Sequence, residues 1–331
     1  MDETILFLAG DVMIGRSFNE LFEEKPQYNI WGDTLTLLKK GDFFGINLET
    51  TITDRTKKFP DKVFNFRLGS RYKQILKLGH VTYANLANNH ILDYGEMGLV
   101  DTINNLDSLN IIHTGAGKNL VEAMNPAFYD INGIKIGIIS ASDHPENFQA
   151  DHTGGIYFID LKSDLTDHIA RITSIRSKVD ILIFSMHHGA NYVDRIPNNT
   201  IRFFHELIDN GVDIIHGHSA HHVLPIELYK NGYIFYGMGD FVDDYAVDEK
   251  YRNDLSFLAE IRIKNRKINQ IKVHPTKILM LQVNLLDMAD DDYRFVIDHT
   301  IMKQLGGKDY YHAYQKYKHK YNNLKRIIYC A

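Results

Sequence analysis

Short apolar runs, each stopped by a polar cluster, recur along the chain. The first is TILFLAG, Thr4 to Gly10, stopped by Asp11. A run this short with a Gly-Asp stop predicts a buried strand. Further strands are predicted in DFFGINLE (42–49), HVTYANLANNH (80–90), IIHTGAG (111–117), IKIGIISAS (134–142), VDILIFSMHHG (179–189) and VDIIHGH (212–218). Between them, helical spacing is read over Ser17–Glu24, Thr34–Lys39, Glu96–Leu109, Ser163–Arg176 and Asn199–Asn210, and RYKQILKLG reads as a helix ended by Gly79. Residues 50–69 are polar and aromatic and read as a long loop. Beyond residue 222 the pattern predicts a hairpin turning at Asn231-Gly232, then two strands around a polar turn within residues 255–286. From Ala289 the chain reads as helical into a Tyr- and Lys-rich end. Strand alternating with helix predicts an α/β fold, with one domain over residues 1–284 and a helical C-terminal appendage over 285–331.

Composition narrows the class. With 331 residues and 44% apolar content, the chain can bury a sizeable core without staples. A net charge of −5 argues against a nucleic-acid partner. The one cysteine, Cys330, excludes an intrachain disulfide framework and fits a reducing compartment. The N-terminal apolar run is only about six residues long and follows acidic residues, unlike a secretory leader. No window approaches the roughly 20 apolar residues of a membrane span. The expectation is a cytoplasmic protein without stable membrane insertion.

The chemistry collects where the strands stop. The successive stops carry Asp11; Asn47 and Glu49; Asn88, Asn89, His90 and Asp93; His187, His188 and Asn191; His216, His218, His221 and His222; and Asp240. In α/β sheets, ligands bind outside the carboxyl ends of the strands, where distant loops meet. Asp11, Glu49, Asn89, His187, His218 and His221 are therefore expected to share one site. A mixed imidazole, carboxylate and amide set suits one or two divalent ions such as manganese, zinc or iron. Two such ions can clamp attacking and leaving oxygens without a protein nucleophile. The chain has no GxSxG elbow, and its glycine-rich pieces are too short for a nucleotide loop.

The ordered pieces GDVMIGR, NLET, ANNHILDYG, HTGAG, MHHGANY, GHSAHH and IFYGMGDFVDD resemble the bacterial capsule-synthesis protein family of poly-γ-glutamate biosynthesis (CapA/PgsA) over roughly residues 4 to 245. That family resembles the calcineurin-like metallophosphoesterases. The resemblance implies a four-layer αββα sandwich with a dinuclear metal centre. Carried over, Asp11 is the first-strand ligand of metal one and Glu49 stands in for the bridging carboxylate. Asn89, His187 and His218 hold metal two, and His221 returns to metal one. His90 is then the acid for the leaving group, with Asp93 as its orienter. Met13 stands where the phosphoesterases carry a histidine, which implies a weak or missing first metal.

Arg16 and Arg67 are the cations nearest the expected site, and arginine grips carboxylate or phosphate with a two-pronged fork. They are read as substrate-binding residues, with Asn88, His188, Asn191 and Asp240; for Asp240 a contact to the metal or to its ligands stays open as well. DHPENF, 143–148, is expected to line the mouth. Two functions stay open, beside a third, a metal-dependent nucleotidase unrelated to capsule. One is a metal-dependent hydrolase of a phosphoester or γ-glutamyl amide in an anionic small molecule or polymer. The other is a non-catalytic factor that binds an anionic polymer or a synthase partner.

Overall fold

A computed structural model describes residues 3–302 and 327–329. Two sheets stack with helices on both outer faces. The first sheet holds β1 (Thr4–Val12), β2 (Phe43–Leu48), β3 (Tyr83–Asn85) and β4 (Ile112–Thr114). The second holds β5 (Ala127–Ile131), β6 (Ile134–Ser142), β7 (Ile181–His187), β8 (Ile214–His218), β9 (Ile226–Tyr229) and β10 (Gly232–Phe235). The chain then returns to the first sheet with β11 (Asp240–Val242), β12 (Leu255–Lys264), β13 (Lys267–Leu279), β14 (Gln282–Leu285) and β15 (Ile327–Tyr329). Strand order is β14-β13-β12-β1-β2-β3-β4 in the first sheet, with β11 on β1 and β15 on β13, and β9-β10-β8-β7-β6-β5 in the second.

Alternation along the strands creates three separate cores. Leu6 and Leu8 of β1 face the second sheet, where they meet Ile136, Ile183, Ile214 and Phe235. Phe7 and Ala9, one residue out of phase, face the outer layer of Phe18, Phe22, Leu99 and Leu106. These helical residues come from α1 (Ser17–Glu24) and α2 (Gly95–Ser108). On the far side, α3 (Thr166–Thr173) and α4 (Asn198–Asp209) cover Leu182, Phe184 and Ile215. In α4 the buried positions are Thr200, Phe203, Phe204, Leu207 and Ile208, one helical stripe. Helix, sheet, sheet and helix are the four layers of an αββα sandwich.

Where pattern and structure differ, pairing decides. The hairpin pairs Tyr229 with Gly232, so it turns at Lys230-Asn231, one residue early. Residues 255–286 form three strands, because the chain turns a second time at Met280 and Leu281, both at positive φ. The loop over 50–69 contains two short parallel-paired strands, Thr51–Ile52 and Arg67–Leu68. In the expected helical appendage, α5 (Asp291–Met302) is helical and buries Tyr293 and Val296 against the inter-sheet core. Ile327–Tyr329 is instead a strand parallel to β13, as its β-branched and aromatic composition favours. The intervening Tyr- and Lys-rich segment lies outside the described residues.

Candidate metal centre

Two Gly-Asp steps form the floor of the site. β1 and β11 run parallel with Asp11 opposite Asp240, and the Asp11 amide donates to the Gly239 carbonyl at 3.0 Å. A Cβ on Gly10 would stand 2.1 Å from that carbonyl oxygen. Only glycine lets the two strand ends come this close. Asn47 is the register partner of Asp11 on β2, and His187 on β7 is the partner of His218 on β8. Sheet register thus brings strand ends from both sheets to one point.

Asp11 lies at the centre. Its Oδ1 accepts from Asn47 Nδ2 at 2.7 Å and lies 3.9 Å from His218 Nδ1. Its Oδ2 accepts from the Ser219 amide at 3.2 Å and lies 3.7 Å from His221 Nδ1. His221 Nδ1 is 2.8 Å from Asp240 Oδ1, and His187 Nδ1 is 3.0 Å from His218 Nδ1. Two buried groups result, Asp11-His187-His218 and Asp11-His221-Asp240, each with ligand atoms within 4.8 Å of one another. Ser219 and His221 both have positive φ, at 104° and 59°. Strained backbone of this kind concentrates at functional sites.

The residues fit a cation. Glu49 Oε1, Asn89 Oδ1, His187 Nε2 and Asp240 Oδ2 are buried and have no hydrogen-bond partner, which is rare in a folded interior. Burial pushes the carboxyls of Asp11, Glu49 and Asp240 up, and the Asp11 charge raises the latter two further. Burial also pushes His187 and His218 well below the usual imidazole range, with neighbouring imidazoles adding to it. A divalent ion would resolve both strains, since it favours ionised carboxylates and needs neutral imidazoles.

A family model described as bacterial capsule synthesis protein PGA_cap matches residues 5–245. The chain belongs to that family. This capsule-synthesis chain is 32% identical to a probable polyglutamine synthesis accessory protein of Mycobacterium tuberculosis, over 79% of each chain. It is 30% identical to the PGA biosynthesis protein CapA of Bacillus subtilis, over 82% of this chain and 70% of that one. Among solved structures, a hypothetical protein from Thermus thermophilus superposes with a TM-score of 0.52 at 11% identity, over 83% of this chain and all of that one. That likeness concerns the fold alone.

The structure gathers Asp11, His187, His218 and His221 into the ligand groups, with Glu49 beside them through Asn47, which donates to Glu49 Oε2 at 3.0 Å. Asn89 keeps a bare buried oxygen next to His90. Met13 is buried and bonds through its amide to Val242. Asp240 lies in the Asp11-His221-Asp240 group, so a further possible ligand stands on the side where Met13 offers none. His90 Nδ1 lies 2.7 Å from Asp93 Oδ2, and its Nε2 lies 3.7 Å from Glu49 Oε1. Burial brings the His90 imidazole down to about 4 despite Asp93.

Of the other expected substrate contacts, Asn88, His188, Arg67 and Arg16 have protein partners. Asn88 braces Asn47 and the Leu48 carbonyl. His188 faces the outer helical layer, with Nε2 on the Tyr236 carbonyl and its ring against Phe204. Arg67 bonds the Arg55 carbonyl and faces the Tyr94 ring. Asn191 is exposed in the loop after β7. Arg16 sits nearer the centre, among the rings of Phe64, Phe66 and Tyr245. Phe66 in turn packs on His90, and Tyr245 on His221.

Sequence reasoning left three groups without a role. Asn47 holds Asp11 and Glu49 together; its signal was its place one strand over from Asp11. His144, in the DHPENF segment, is 2.6 Å from Asp143 and its ring lies 5.0 Å from that of His187. Lys62 reaches the His90–Asp93 pair from the loop after β2, and no local pattern marks it.

Proposed function

We propose that this chain is a capsule or poly-γ-glutamate biosynthesis-type protein that acts as a metal-dependent hydrolase on a phosphoester or γ-glutamyl amide. The names of its Mycobacterium and Bacillus relatives support the biosynthetic setting. The observation that carries the hydrolase reading is Asp11, common to two buried ligand groups beside a His–Asp pair. Asp11, His187 and His218 would hold one divalent ion, and Asp11, His221 and Asp240 a second. A bound ion supplies Lewis-acid chemistry, polarising a phosphoryl or acyl oxygen and stabilising charge that develops on it. Asp93 fixes the His90 ring through Nδ1, so that Nε2 faces the ligand groups, where only the protonated imidazole would have a proton to hand to the leaving atom. Closely packed walls of Phe66 and Tyr245 keep bulk water from His90 and His221.

The substrate is an anionic small molecule or polymer, and Arg16, whose Nε lies 3.5 Å from Asp244 Oδ2, is the candidate cation for it. The same exposed Arg16 favours the second reading, a factor that holds an anionic polymer without cleaving it. Elemental analysis of protein purified without an affinity tag tests the metal centre, alongside His187→Ala and His218→Ala. About two ions per chain, lost in either variant, are expected for a dinuclear site. Full metal retention in both variants would sink the hydrolase reading. A metal-loaded protein that cleaves neither phosphoesters nor γ-glutamyl peptides, yet is retained on immobilised poly-γ-glutamate, would establish the binding factor.

A further inference from the structure

The loop between β2 and β3 sends one ammonium group inward. Lys62 Nζ donates to the Asn89 carbonyl and to Asp93 Oδ1, and lies 3.1 Å from His90 Nδ1. Its flank lies over the Phe148 ring, with the ammonium 5.4 Å from the centroid. Asp93 is shared in three directions: Oδ1 takes Lys62, while Oδ2 takes the Phe66 amide at 2.5 Å and lies 2.7 Å from His90 Nδ1. The carboxylate and the ammonium therefore approach the same ring nitrogen from two sides. Asn89, whose carbonyl Lys62 holds, is the residue whose side-chain oxygen is bare and buried.

We infer that Lys62 is a positioning residue for His90, holding the imidazole so that Nε2 faces Glu49 and the ligand groups. Asp93 alone constrains one edge of the ring through a single oxygen that it shares with the Phe66 amide. Lys62 adds a charge-assisted contact to the other carboxylate oxygen, and it ties the Asn89–His90 backbone to the same node. A side chain fixed by such supporting contacts holds productive geometry more tightly than one bond allows. This inference rests on His90 being a site residue, as the hydrolase reading has it, and it makes the loop of residues 50–69 part of the site.

The test compares Lys62→Met, nearly isosteric but uncharged, and Lys62→Arg with the parent chain, all loaded with zinc. Long-range 15N–1H correlation spectra report the two ring nitrogens of His90, identified by their absence in His90→Gln. Lys62→Met is expected to keep its metal and its fold, and to shift or broaden the His90 signals. Lys62→Arg restores them at least in part. On bis-p-nitrophenyl phosphate, kcat of Lys62→Met falls about 10- to 100-fold with KM within about threefold. Unmoved His90 signals in Lys62→Met would overturn the inference. If Lys62→Met does not fold, Lys62→Gln is read in its place, and unmoved His90 signals there would equally overturn the inference, since Lys62 would then only anchor the loop. The spectra need no turnover, so a parent protein that cleaves nothing would remove the hydrolase reading and leave this test standing.

Discussion

Replacing Asp240 with Asn should move stability in opposite directions with and without metal. Oxygens of Asp11 and Asp240 lie within 4.8 Å of one another in a buried group. Two unit charges at that distance repel by about 3 kcal/mol at an effective dielectric constant of 20. Without metal, Asp240→Asn removes this repulsion and keeps a similar shape. Part of it is already relieved by proton uptake, because burial and Asp11 raise the Asp240 carboxyl. The expected gain is therefore about 1–3 kcal/mol, or about 2–6 °C in Tm. Its pH dependence has a definite sign. A raised carboxyl binds more protons folded than unfolded, so the parent loses stability as pH rises from its unfolded value of 3.8 towards the folded one. The advantage of Asp240→Asn in chelator should grow over that window. With metal present the order reverses. An ion at 1,000 times its Kd stabilises the parent by about 4.1 kcal/mol per position, and the variant forfeits one position. The assay is thermal unfolding with chelator and with added manganese or zinc, from pH 5 to 8. A variant less stable than the parent in chelator, or one that keeps the full metal-induced shift, would refute the reasoning.

Gly10→Ala should lower bound metal and Tm together, because its Cβ would meet the Gly239 carbonyl 2.1 Å away and part Asp11 from Asp240; elemental analysis and calorimetry read both. Phe203→Ala, which empties a fully buried site in the outer core, should cost about 3–5 kcal/mol in urea unfolding without changing metal stoichiometry. Glu260 is held down to about 2 by His274 at 2.8 Å and by Arg262, against the opposing effect of burial. Its contribution is present above the ordinary value of 4.5 and is lost as pH falls towards 2. Glu260→Gln should therefore destabilise by about 1–3 kcal/mol at pH 7 and by less at pH 3, as urea titrations at both pH values would show.

Strands that are buried on both faces were legible because they are unbroken apolar runs. β6 spans the same nine residues that its pattern marks, β8 ends on His218 as expected, and β7 ends on His187, two residues short of its expected run. Turns set by pairing were harder to read. Met280 and Leu281 carry no turn chemistry, yet β13 and β14 pair across them. His187 and His218 could be read from the sequence because each closes a strand, so local pattern and site position coincide, and His221 follows in the loop after His218. Asp240 also closes the GMGD stretch, but its role comes from lying beside Asp11, a register between residues far apart in sequence. Lys62 lies in a segment without periodicity, and only tertiary packing brings it to His90. Asn47 was visible at a strand end, but Glu49 two residues on is the stronger ligand type and drew the assignment.

The pairing of Asp11 with Asp240 also sets an order of events during synthesis. The two residues are 229 positions apart (240 − 11), and at about 5–20 residues per second the ribosome needs roughly 10–45 s to make that interval. Until β11 emerges, a nascent chain can offer Asp11, His187 and His218, but not the carboxylate that completes the neighbouring group. The side chains of the Asp11-His187-His218 group are thus the first to be complete, and those of the group closed by Asp240 the last.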